Sequence, residues 1–319
     1  MHEFEIIKKY FLKLSNNNKS ALNLSDDVFY DKSKQLVISI DTYVEGIHFI
    51  NFEKPELVIK KIFRSSISDL ICKGVKPKYY FISASGNSRS FSKSNLKKIS
   101  KSLKQEQKKY NIYLGGGDTV LSKKLSFTIT SIGFSKKIIL RNNAKLNDDI
   151  YITGNLGDSY TGLKVLQKKI HIKKELKEYF INKYYLPDLH LNLTKKLFNF
   201  ANTSIDVSDG LITDLQKLIF NQKLSFKIYL NSVPISQNLN RLIFNKNLKK
   251  LSYISRGDDY QVLFTASPSK SRIINKIAKS LGIKISKIGK ICKHSFKSEI
   301  IGEKGNKIAL KNKGYYHQF

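Results

Sequence analysis

Cysteine is scarce in this sequence, since 319 residues contain only two cysteines and one methionine. Cys72 and Cys292 lie far apart and form no C-x-x-C motif. We therefore expect neither a disulfide framework nor a thiolate metal site, and we interpret both cysteines as packing residues.

Long hydrophobic runs are also absent. No apolar stretch approaches the roughly 18 residues that a membrane-spanning helix needs. The opening residues MHEFEIIKKYFLKL mix charged and apolar side chains, and they lack the apolar core and small-residue cleavage site of a secretion signal. The expectation is a soluble, cytoplasmic protein without a membrane partner.

Several common catalytic motifs are missing. The sequence contains no G-x-x-x-x-G-K-[ST] phosphate loop, no G-x-G-x-x-G dinucleotide turn, no G-x-S-x-G nucleophile elbow and no H-E-x-x-H zinc helix. These absences disfavour the enzyme classes that depend on those motifs.

Acidic residues are few, at 25 against 57 lysines and arginines, which gives a formal charge of +32. The basic residues are spread along the whole chain, without a basic tail or an aromatic RNA-binding motif. This distribution favours a compositional bias over a nucleic-acid partner, although a positive field would attract anionic nucleotides. A basic nucleic-acid-binding protein is the alternative, and it predicts salt-sensitive binding that Asp118→Asn leaves unchanged.

What is present is a mixed α/β pattern. Hydrophobic residues make up 41% of the chain, which is enough for packed cores. Periodicity predicts helices over residues 2–14, 55–73, 92–110 and 269–281, and strands over residues 35–40, 79–85 and 125–134. A polar stretch over residues 141–149 then precedes a new series of strands, turns and helices. We therefore expect two domains, an N-terminal one over residues 1–140 and a C-terminal one over residues 141–319.

The scarce aspartates recur beside glycines or at predicted strand ends. The members of this set are Asp27, Asp41, Asp69, Asp118, Asp206 and Asp209. If they converge, two carboxylates about 6 Å apart repel by roughly 3 kcal/mol at an effective dielectric constant near 20. Divalent cations would remove that cost, and Mg²⁺ binds through carboxylates, waters and substrate phosphates. For each aspartate taken alone, a helix cap or a turn is favoured over a metal ligand.

Other residues could bind phosphate. The glycines of LGGGDT and GNLGDS allow backbone N–H groups to approach an anion, and Gly157 could open a helix whose N-terminus faces phosphate. Tight turns are the alternative. His48 and Arg141 are candidate donors to phosphate, against the alternatives of a packed histidine and an exposed linker charge.

Seven motifs, taken in order, resemble those of the thiamine-monophosphate kinase family. They are LSDDV, SIDTYVEGIHF, SISDLICKGVKP, GGGDT, GDSYTGL, DVSDGL and RGDDYQVLF. The resemblance runs from the first helix to the C-terminus. Selenophosphate synthetases and hydrogenase-maturation proteins share the implied fold, but the reactive cysteines typical of them are not found here.

This resemblance implies an α/β, two-domain fold like that of aminoimidazole-ribonucleotide synthetase. Its N-terminal domain binds ATP and several Mg²⁺ ions and pairs its sheet with that of a second subunit in a homodimer, and the C-terminal α/β domain completes the cleft. The implied reaction moves the γ-phosphoryl group of ATP to thiamine monophosphate, giving thiamine diphosphate and ADP. The acceptor phosphate is already ionised at neutral pH, so direct in-line attack needs no strong general base.

The resemblance also assigns residues, motif by motif. Metal ligands are expected at Asp27, Ser39, Ile40, Asp41, Asp69, Asp118, Asp206 and Asp209, with Asp69, Asp118 and Asp206 the most directly catalytic. Nucleotide contacts are expected at Gly117, Asp118, Arg141 and Ser208. Substrate contacts are expected at His48, Asp258 and Asn312.

The sequence departs from the family pattern at several of these positions. Ser25 replaces a glycine, Ile40 a threonine, Ser66 an asparagine and Asp258 a glutamate. Ile40 can coordinate only through its carbonyl group. Asn312 stands where some members place a tryptophan against the substrate, with Tyr315 and Tyr316 nearby. These changes affect the expected contact with the thiamine rings more than the phosphate chemistry.

Overall fold

Two β-sheets divide the chain, one formed from each half. The structure is a computed structural model that describes residues 3–295 and 297–308. Within these residues the first sheet has the strand order β1-β2-β5-β3-β4, and the second has the order β12-β11-β8-β10-β6-β9-β7. The strands of the first sheet are β1 Phe29–Asp31, β2 Leu36–Val44, β3 Pro77–Gly86, β4 Tyr113–Leu121 and β5 Ser126–Phe134. Those of the second are β6 Asp149–Thr153, β7 Thr203–Asp206, β8 Leu224–Tyr229, β9 Val262–Ala266, β10 Ile285–Lys293, β11 Glu299–Ile301 and β12 Lys307–Ile308.

Helices cover one face of the first sheet and pack around the second. The α-helices are α1 Glu3–Ile6, α2 Pro55–Cys72, α3 Lys93–Tyr110, α4 Asp158–Leu166, α5 Lys174–Tyr185, α6 Leu211–Leu218, α7 Gln237–Asn245, α8 Lys250–Ile254 and α9 Ser271–Leu281. Ile7–Phe11 forms a π turn, and 3₁₀ segments occur at Leu12–Ser15, Lys19–Leu24, Leu191–Asn199, Leu230–Ser232 and Pro268–Lys270.

The first sheet has one buried face and one exposed face. Burial alternates along β5, where Phe127 and Ile129 point into the core while their neighbours do not. This period of two is what a sheet covered on one side requires. The opposite face carries exposed Ile40, Tyr79 and Phe81, which leaves an apolar surface on the outside of the protomer.

Helix α2 is the element shared by both halves of the chain. Ile59, Ile62 and Phe63 belong to the core beneath the first sheet. At the other end of the helix, the Lys73 ammonium donates to the carbonyl oxygen of Ser204 in β7 at 2.9 Å. Most of α2 is buried, and Lys73 at its C-terminal end contacts the second half of the protein.

The structure confirms most of the predicted elements within one to four residues. The prediction of one helix over residues 2–14 is wrong, because α1 ends at Ile6 and short irregular turns follow. The first sheet ends at Phe134 and the second begins at Asp149, whereas the domain boundary at residue 141 stays a prediction. No helix in the described part of the chain is long and apolar enough to cross a membrane.

Candidate active site

Three carboxylates from distant parts of the sequence meet between the two halves. Asp41 lies in β2, Asp69 in the last turn of α2, and Asp206 at the end of β7. Ser39 shares the inward face of β2 with Asp41, and its hydroxyl donates to Asp69 Oδ2 at 2.6 Å. We call Asp41, Asp69 and Asp206 the carboxylate trio. Only Asp206 occupies a strand end as expected, since Asp41 is inside a strand and Asp69 inside a helix.

Burial raises the pKa of all three members of the trio, and repulsion within the trio adds to the shift at Asp41 and Asp69. Burial, followed by repulsion from Asp206, raises the pKa of Asp41 to about 7. Burial and the charges of Asp41 and Asp206 raise the pKa of Asp69 well above its usual range. Burial likewise raises the pKa of Asp206, although a hydrogen bond from Ser68 opposes that shift. A cation placed here would favour the ionised form of all three.

No ion pair in the described part of the chain joins the trio to a lysine or arginine within 4.0 Å. The described residues also contain no group of three acidic, histidine or cysteine side chains already arranged around one metal position. Mg²⁺ fits this arrangement, because it takes only one or two carboxylates and completes its shell with water and substrate phosphates. The donor set is hard oxygen, which also suits Mg²⁺.

A second set of acids, close by, is already balanced by cations. Lys73 Nζ lies 2.8 Å from Asp26 Oδ1 and 3.2 Å from Asp27 Oδ2. The Arg141 guanidinium binds both oxygens of Asp27, and the Arg141 backbone N–H donates to Asp26 Oδ2 at 2.8 Å. Arg141 is therefore a buried contact of the cleft and not an exposed linker charge.

Asp209 is also paired, with Lys217 from helix α6. It is not the cap of that helix, because Gly210 occupies the N-cap position. Asp214 closes the turn instead, and its Oδ2 accepts the backbone N–H groups of Asp209 and Gly210 at 3.0 Å each. Burial raises the pKa of Asp214 to about 7.

The turn that carries Asp258 docks on the turn that carries Ser208. The Asp258 N–H donates to the carbonyl oxygen of Ser208 at 2.8 Å. Gly257 has φ of +76°, and a Cβ there would lie 2.0 Å from the Ser208 oxygen, so only glycine allows this approach. The Asp258 carboxylate lies 2.7 Å from Lys61 Nζ on α2. The docked turns thus bring a predicted nucleotide contact beside a predicted substrate contact.

His48 lies in the turn after β2 and is half-buried. Its Nδ1 accepts the backbone N–H of Val44 at 3.0 Å, and its ring meets that of Tyr43 edge-on. This contact fixes the orientation of the imidazole ring at the end of β2.

Three predicted site residues lie on the outer part of the first sheet. The Ile40 side chain is 66% exposed on the apolar face. Gly117 and Asp118 lie inside strand β4, so the tight turn considered as the alternative for LGGGDT is wrong. A Cβ at Gly117 would lie 1.9 Å from the carbonyl oxygen of Ile82, which explains this glycine by strand packing.

The sheet register separates Asp118 from the trio. Asp118 pairs with Ser83, Ser83 with Thr128, and Thr128 with Thr42 beside Asp41. Three strand spacings place Asp118 about 14 Å from Thr42. The Asp118 carboxylate is exposed and accepts the backbone N–H of Thr119 at 2.8 Å.

The proposed anion site at the start of α4 is occupied by a protein carboxylate. Asp259 Oδ2 accepts the N–H of Gly157 at 2.8 Å, and Oδ1 accepts that of Ser159 at 3.4 Å. Because Asp259 is buried against this terminus, the prediction that Gly157 faces a phosphate is wrong. Asn312, Tyr315 and Tyr316 lie outside the described residues.

Sequence reasoning missed the cations of this cleft. Lys61, Lys73 and Lys217 each lie on a helix and face a predicted acidic site residue. In a chain with 57 basic residues nothing marked these three as special. The available signal was position, since Lys61 and Lys73 lie eight before and four after Asp69 on α2 and therefore share its side of the helix.

Comparison with known proteins gives consistent matches. Residues 22–135 match the family model described as AIR synthase related protein, N-terminal domain. The thiamine-monophosphate kinase of Buchnera aphidicola subsp. Schizaphis graminum is 36% identical over 330 residues, which cover 99% of this chain and 98% of that protein. The enzyme of the same name from Haemophilus influenzae is 32% identical over 91% of this chain and 89% of its own length. A solved structure described as AaThiL complexed with AMPPCP and TMP superposes with a TM-score of 0.85 at 24% identity, over 99% of this chain and 97% of that one, so the two share a fold.

Proposed function

The chain belongs to the thiamine-monophosphate kinase family, and we propose that its cleft transfers the γ-phosphoryl group of ATP to the phosphate of thiamine monophosphate. The observation that carries this proposal is the carboxylate trio, which gathers three buried acids whose pKa values are raised and which form no ion pair within 4.0 Å in the described residues. The charges of Lys73, Arg141 and Lys217 oppose the shifts at Asp69 and Asp206 only in part. Such a site is suited to ligands that arrive with their own cations. In the cell ATP is bound to Mg²⁺, so it brings a cation with it. A cytoplasmic location is proposed because ATP is available there.

Several Mg²⁺ ions would be held around the trio, with Ser39 orienting Asp69 and the Ile40 carbonyl group as a further oxygen donor. Asp27 and Asp209 are proposed to join when nucleotide binds, by exchanging part of their contact with Arg141 and Lys217 for the metal. Mg²⁺ supplies neutralisation of the charge that develops on the phosphates during transfer.

The nucleotide is proposed to contact Arg141 and Ser208. Arg141 offers a planar, always charged guanidinium, and its buried position beside Asp27 supports a role with phosphate rather than with solvent. Gly117 and Asp118 are proposed as a further contact, supplied from strand β4 and apart from the trio. Thiamine monophosphate is proposed to meet His48 and Asp258, which lie toward the Lys61 end of α2. Asn312 stays a prediction from the sequence.

The chemistry asked of the chain is positioning and charge. An ionised oxygen of the acceptor phosphate forms a new bond to the γ-phosphorus of ATP, and the bond from that phosphorus to the bridging β,γ-oxygen breaks. The electron pair leaves with ADP, and no proton has to be removed from the nucleophile. A general base is therefore unnecessary, and the hydrogen bonds of Arg141 and His48 would orient the two anions.

We also propose that a second copy of this chain covers the exposed face of the first sheet. Exposed apolar side chains collect there on four strands, and they are Ile40, Tyr79, Phe81, Tyr113, Val120 and Phe134. Strand β4 is also an edge strand, which leaves backbone groups ready to pair. In sedimentation experiments, the Phe81→Asp variant should have a lower mass than the wild-type protein. The Phe244→Asp variant, changed at an exposed site on α7, should have the wild-type mass. A wild-type protein that sediments as a monomer would contradict this proposal.

The activity is tested by incubating purified protein with ATP, Mg²⁺ and thiamine monophosphate and resolving the products. We expect thiamine diphosphate and ADP in equal amounts, and no product with free thiamine as the acceptor. ADP released without thiamine diphosphate, or equal use of thiamine, would contradict the proposed function.

A further inference from the structure

Lys61 carries a buried positive charge that the proposed reaction does not yet use. Its side chain is 1% exposed, in the middle of α2. The ammonium lies 2.7 Å from Asp258 Oδ2, donates to the carbonyl oxygen of Tyr184 at 3.2 Å, and sits 4.0 Å from the centre of the Tyr184 ring. Three groups from the second half of the chain therefore hold one nitrogen of the first.

Packing alone does not explain a lysine here. Burial lowers the pKa of Lys61, and the charge and hydrogen bond of Asp258 oppose that shift, followed by the charge of Asp259. An uncharged side chain of similar length would fill the same space without the cost of desolvating an ammonium. The buried charge is explained by its partner Asp258, whose carboxylate is paired with it and whose side chain is still 26% exposed.

Tyr184 extends this contact to the other predicted substrate residue. Its hydroxyl donates to the carbonyl oxygen of His48 at 3.4 Å, while its ring and backbone hold Lys61. Asp258 and His48 are 210 positions apart in sequence, yet one lysine and one tyrosine join them. We call this series Asp258, Lys61, Tyr184 and His48 the substrate brace.

We propose that Lys61 is a positioning residue for thiamine monophosphate, which fixes the direction of the Asp258 carboxylate and, through Tyr184, its placement relative to His48. This inference rests on the proposed function. A carboxylate held by a buried ammonium keeps one orientation, whereas an unpaired one would turn toward water and lose its alignment with the substrate. Lys61 contacts the Asp258 carboxylate, whereas the Ser208 turn is held by the Asp258 backbone N–H, so the effect of Lys61 should fall mainly on thiamine monophosphate.

The test compares Lys61→Met with Lys60→Met, which makes the same change at the neighbouring residue of the same helix. We expect Lys61→Met to raise the KM for thiamine monophosphate at least tenfold while the KM for ATP changes less than twofold. Lys60→Met should leave both constants near the wild-type values. Tyr184→Phe removes only the hydroxyl, so it should raise the KM for thiamine monophosphate two- to fivefold with little change in thermal unfolding.

A double-mutant cycle separates positioning from a general structural role. If Lys61 acts through Asp258, then adding Lys61→Met to Asp258→Asn should change the KM for thiamine monophosphate less than twofold further. If Lys61→Met does not fold, Tyr184→Phe and Asp258→Asn decide the matter, since both must act selectively on the same KM.

The outcomes distinguish this inference from the proposed function. A wild-type protein that makes no thiamine diphosphate overturns the function itself. If the wild-type protein is active, three results would contradict the positioning role alone. Lys61→Met has the same KM values as Lys60→Met, or Lys61→Met raises the KM for ATP as much as the KM for thiamine monophosphate. The third is that the effects of Lys61→Met and Asp258→Asn on the KM for thiamine monophosphate multiply in the double variant.

Discussion

Two sets of carboxylates lie in one cleft and differ in what balances their charge. Asp27 and Asp258 are held by cations of the chain itself, through Arg141, Lys73 and Lys61. The trio of Asp41, Asp69 and Asp206 has no such partner within 4.0 Å in the described residues, and its pKa values are raised.

The difference separates what holds the fold from what awaits a ligand. A paired carboxylate stabilises the fold whether or not substrate is present. Removing it leaves a buried cation without a partner, and the desolvation of that cation is then uncompensated. An unpaired, crowded carboxylate costs stability until a cation arrives. The two sets should therefore respond in opposite directions to the same substitution of aspartate by asparagine.

The largest effect is expected at Asp69. Asp69→Asn removes a charge from the trio but keeps an oxygen for the Ser39 hydroxyl. We expect the turnover number to fall about 10²- to 10³-fold, as for the loss of one group that stabilises transition-state charge. The unfolding temperature without Mg²⁺ should stay the same or rise, because repulsion is relieved. A variant that keeps wild-type turnover, or that unfolds before purification, would remove the trio from the proposed site.

Asp27→Asn should act on stability in the opposite direction. Arg141 and Lys73 would lose the partner they share, and we expect the free energy of unfolding to fall by about 3 kcal/mol. Chemical denaturation of wild type, Asp27→Asn and Asp69→Asn under one condition makes the comparison directly. An equal loss of unfolding free energy in Asp27→Asn and Asp69→Asn would contradict the distinction between paired and unpaired carboxylates.

The smallest effect is a dependence on pH. The folded protein holds the Asp41 proton up to pH about 7, whereas the unfolded chain releases it near pH 3.8. The stability that comes from this group is therefore present at low pH and is lost as pH rises toward 7. Between pH 5 and pH 7.5, wild type without Mg²⁺ should lose about 2 kcal/mol more than Asp41→Asn.

Mg²⁺ provides the control for that measurement. Because the ion favours the ionised trio, it should stabilise wild type more at pH 7.5 than at pH 5. It should do less for Asp41→Asn. A wild-type protein whose unfolding free energy responds equally to Mg²⁺ at both values of pH would contradict the link between the trio and the cation.

Sequence reasoning predicted the long elements well because their patterns are strong. Helix α3 begins after Ser92, whose side chain accepts the N–H of Asn95, and strand β5 shows a clear period of two. The prediction of one helix over residues 2–14 was wrong because it relied only on the spacing of apolar residues. The structure has π and 3₁₀ turns in that stretch after Ile6.

The candidate site was predicted in its acids but not in its electrostatics. Motifs drew attention to Asp41, Asp69 and Asp206, yet a motif does not tell which carboxylate meets a lysine from a distant helix. The Asp259 contact with the start of α4 depends on a tertiary approach across 102 positions, so the same glycine turn could not be distinguished from a phosphate site. Strand register, likewise, decided that Asp118 stands apart.

Helix α2 fixes the separation between Lys61, which contacts Asp258, and Asp69 of the trio. Lys61 and Asp69 are two turns apart, a separation of about 12 Å along the axis. A single inserted residue between them would swing Lys61 by about 100° and shift it by about 1.5 Å. Loops elsewhere can change in length, but this span should tolerate substitution far better than insertion, because its spacing sets the distance between Lys61 and Asp69.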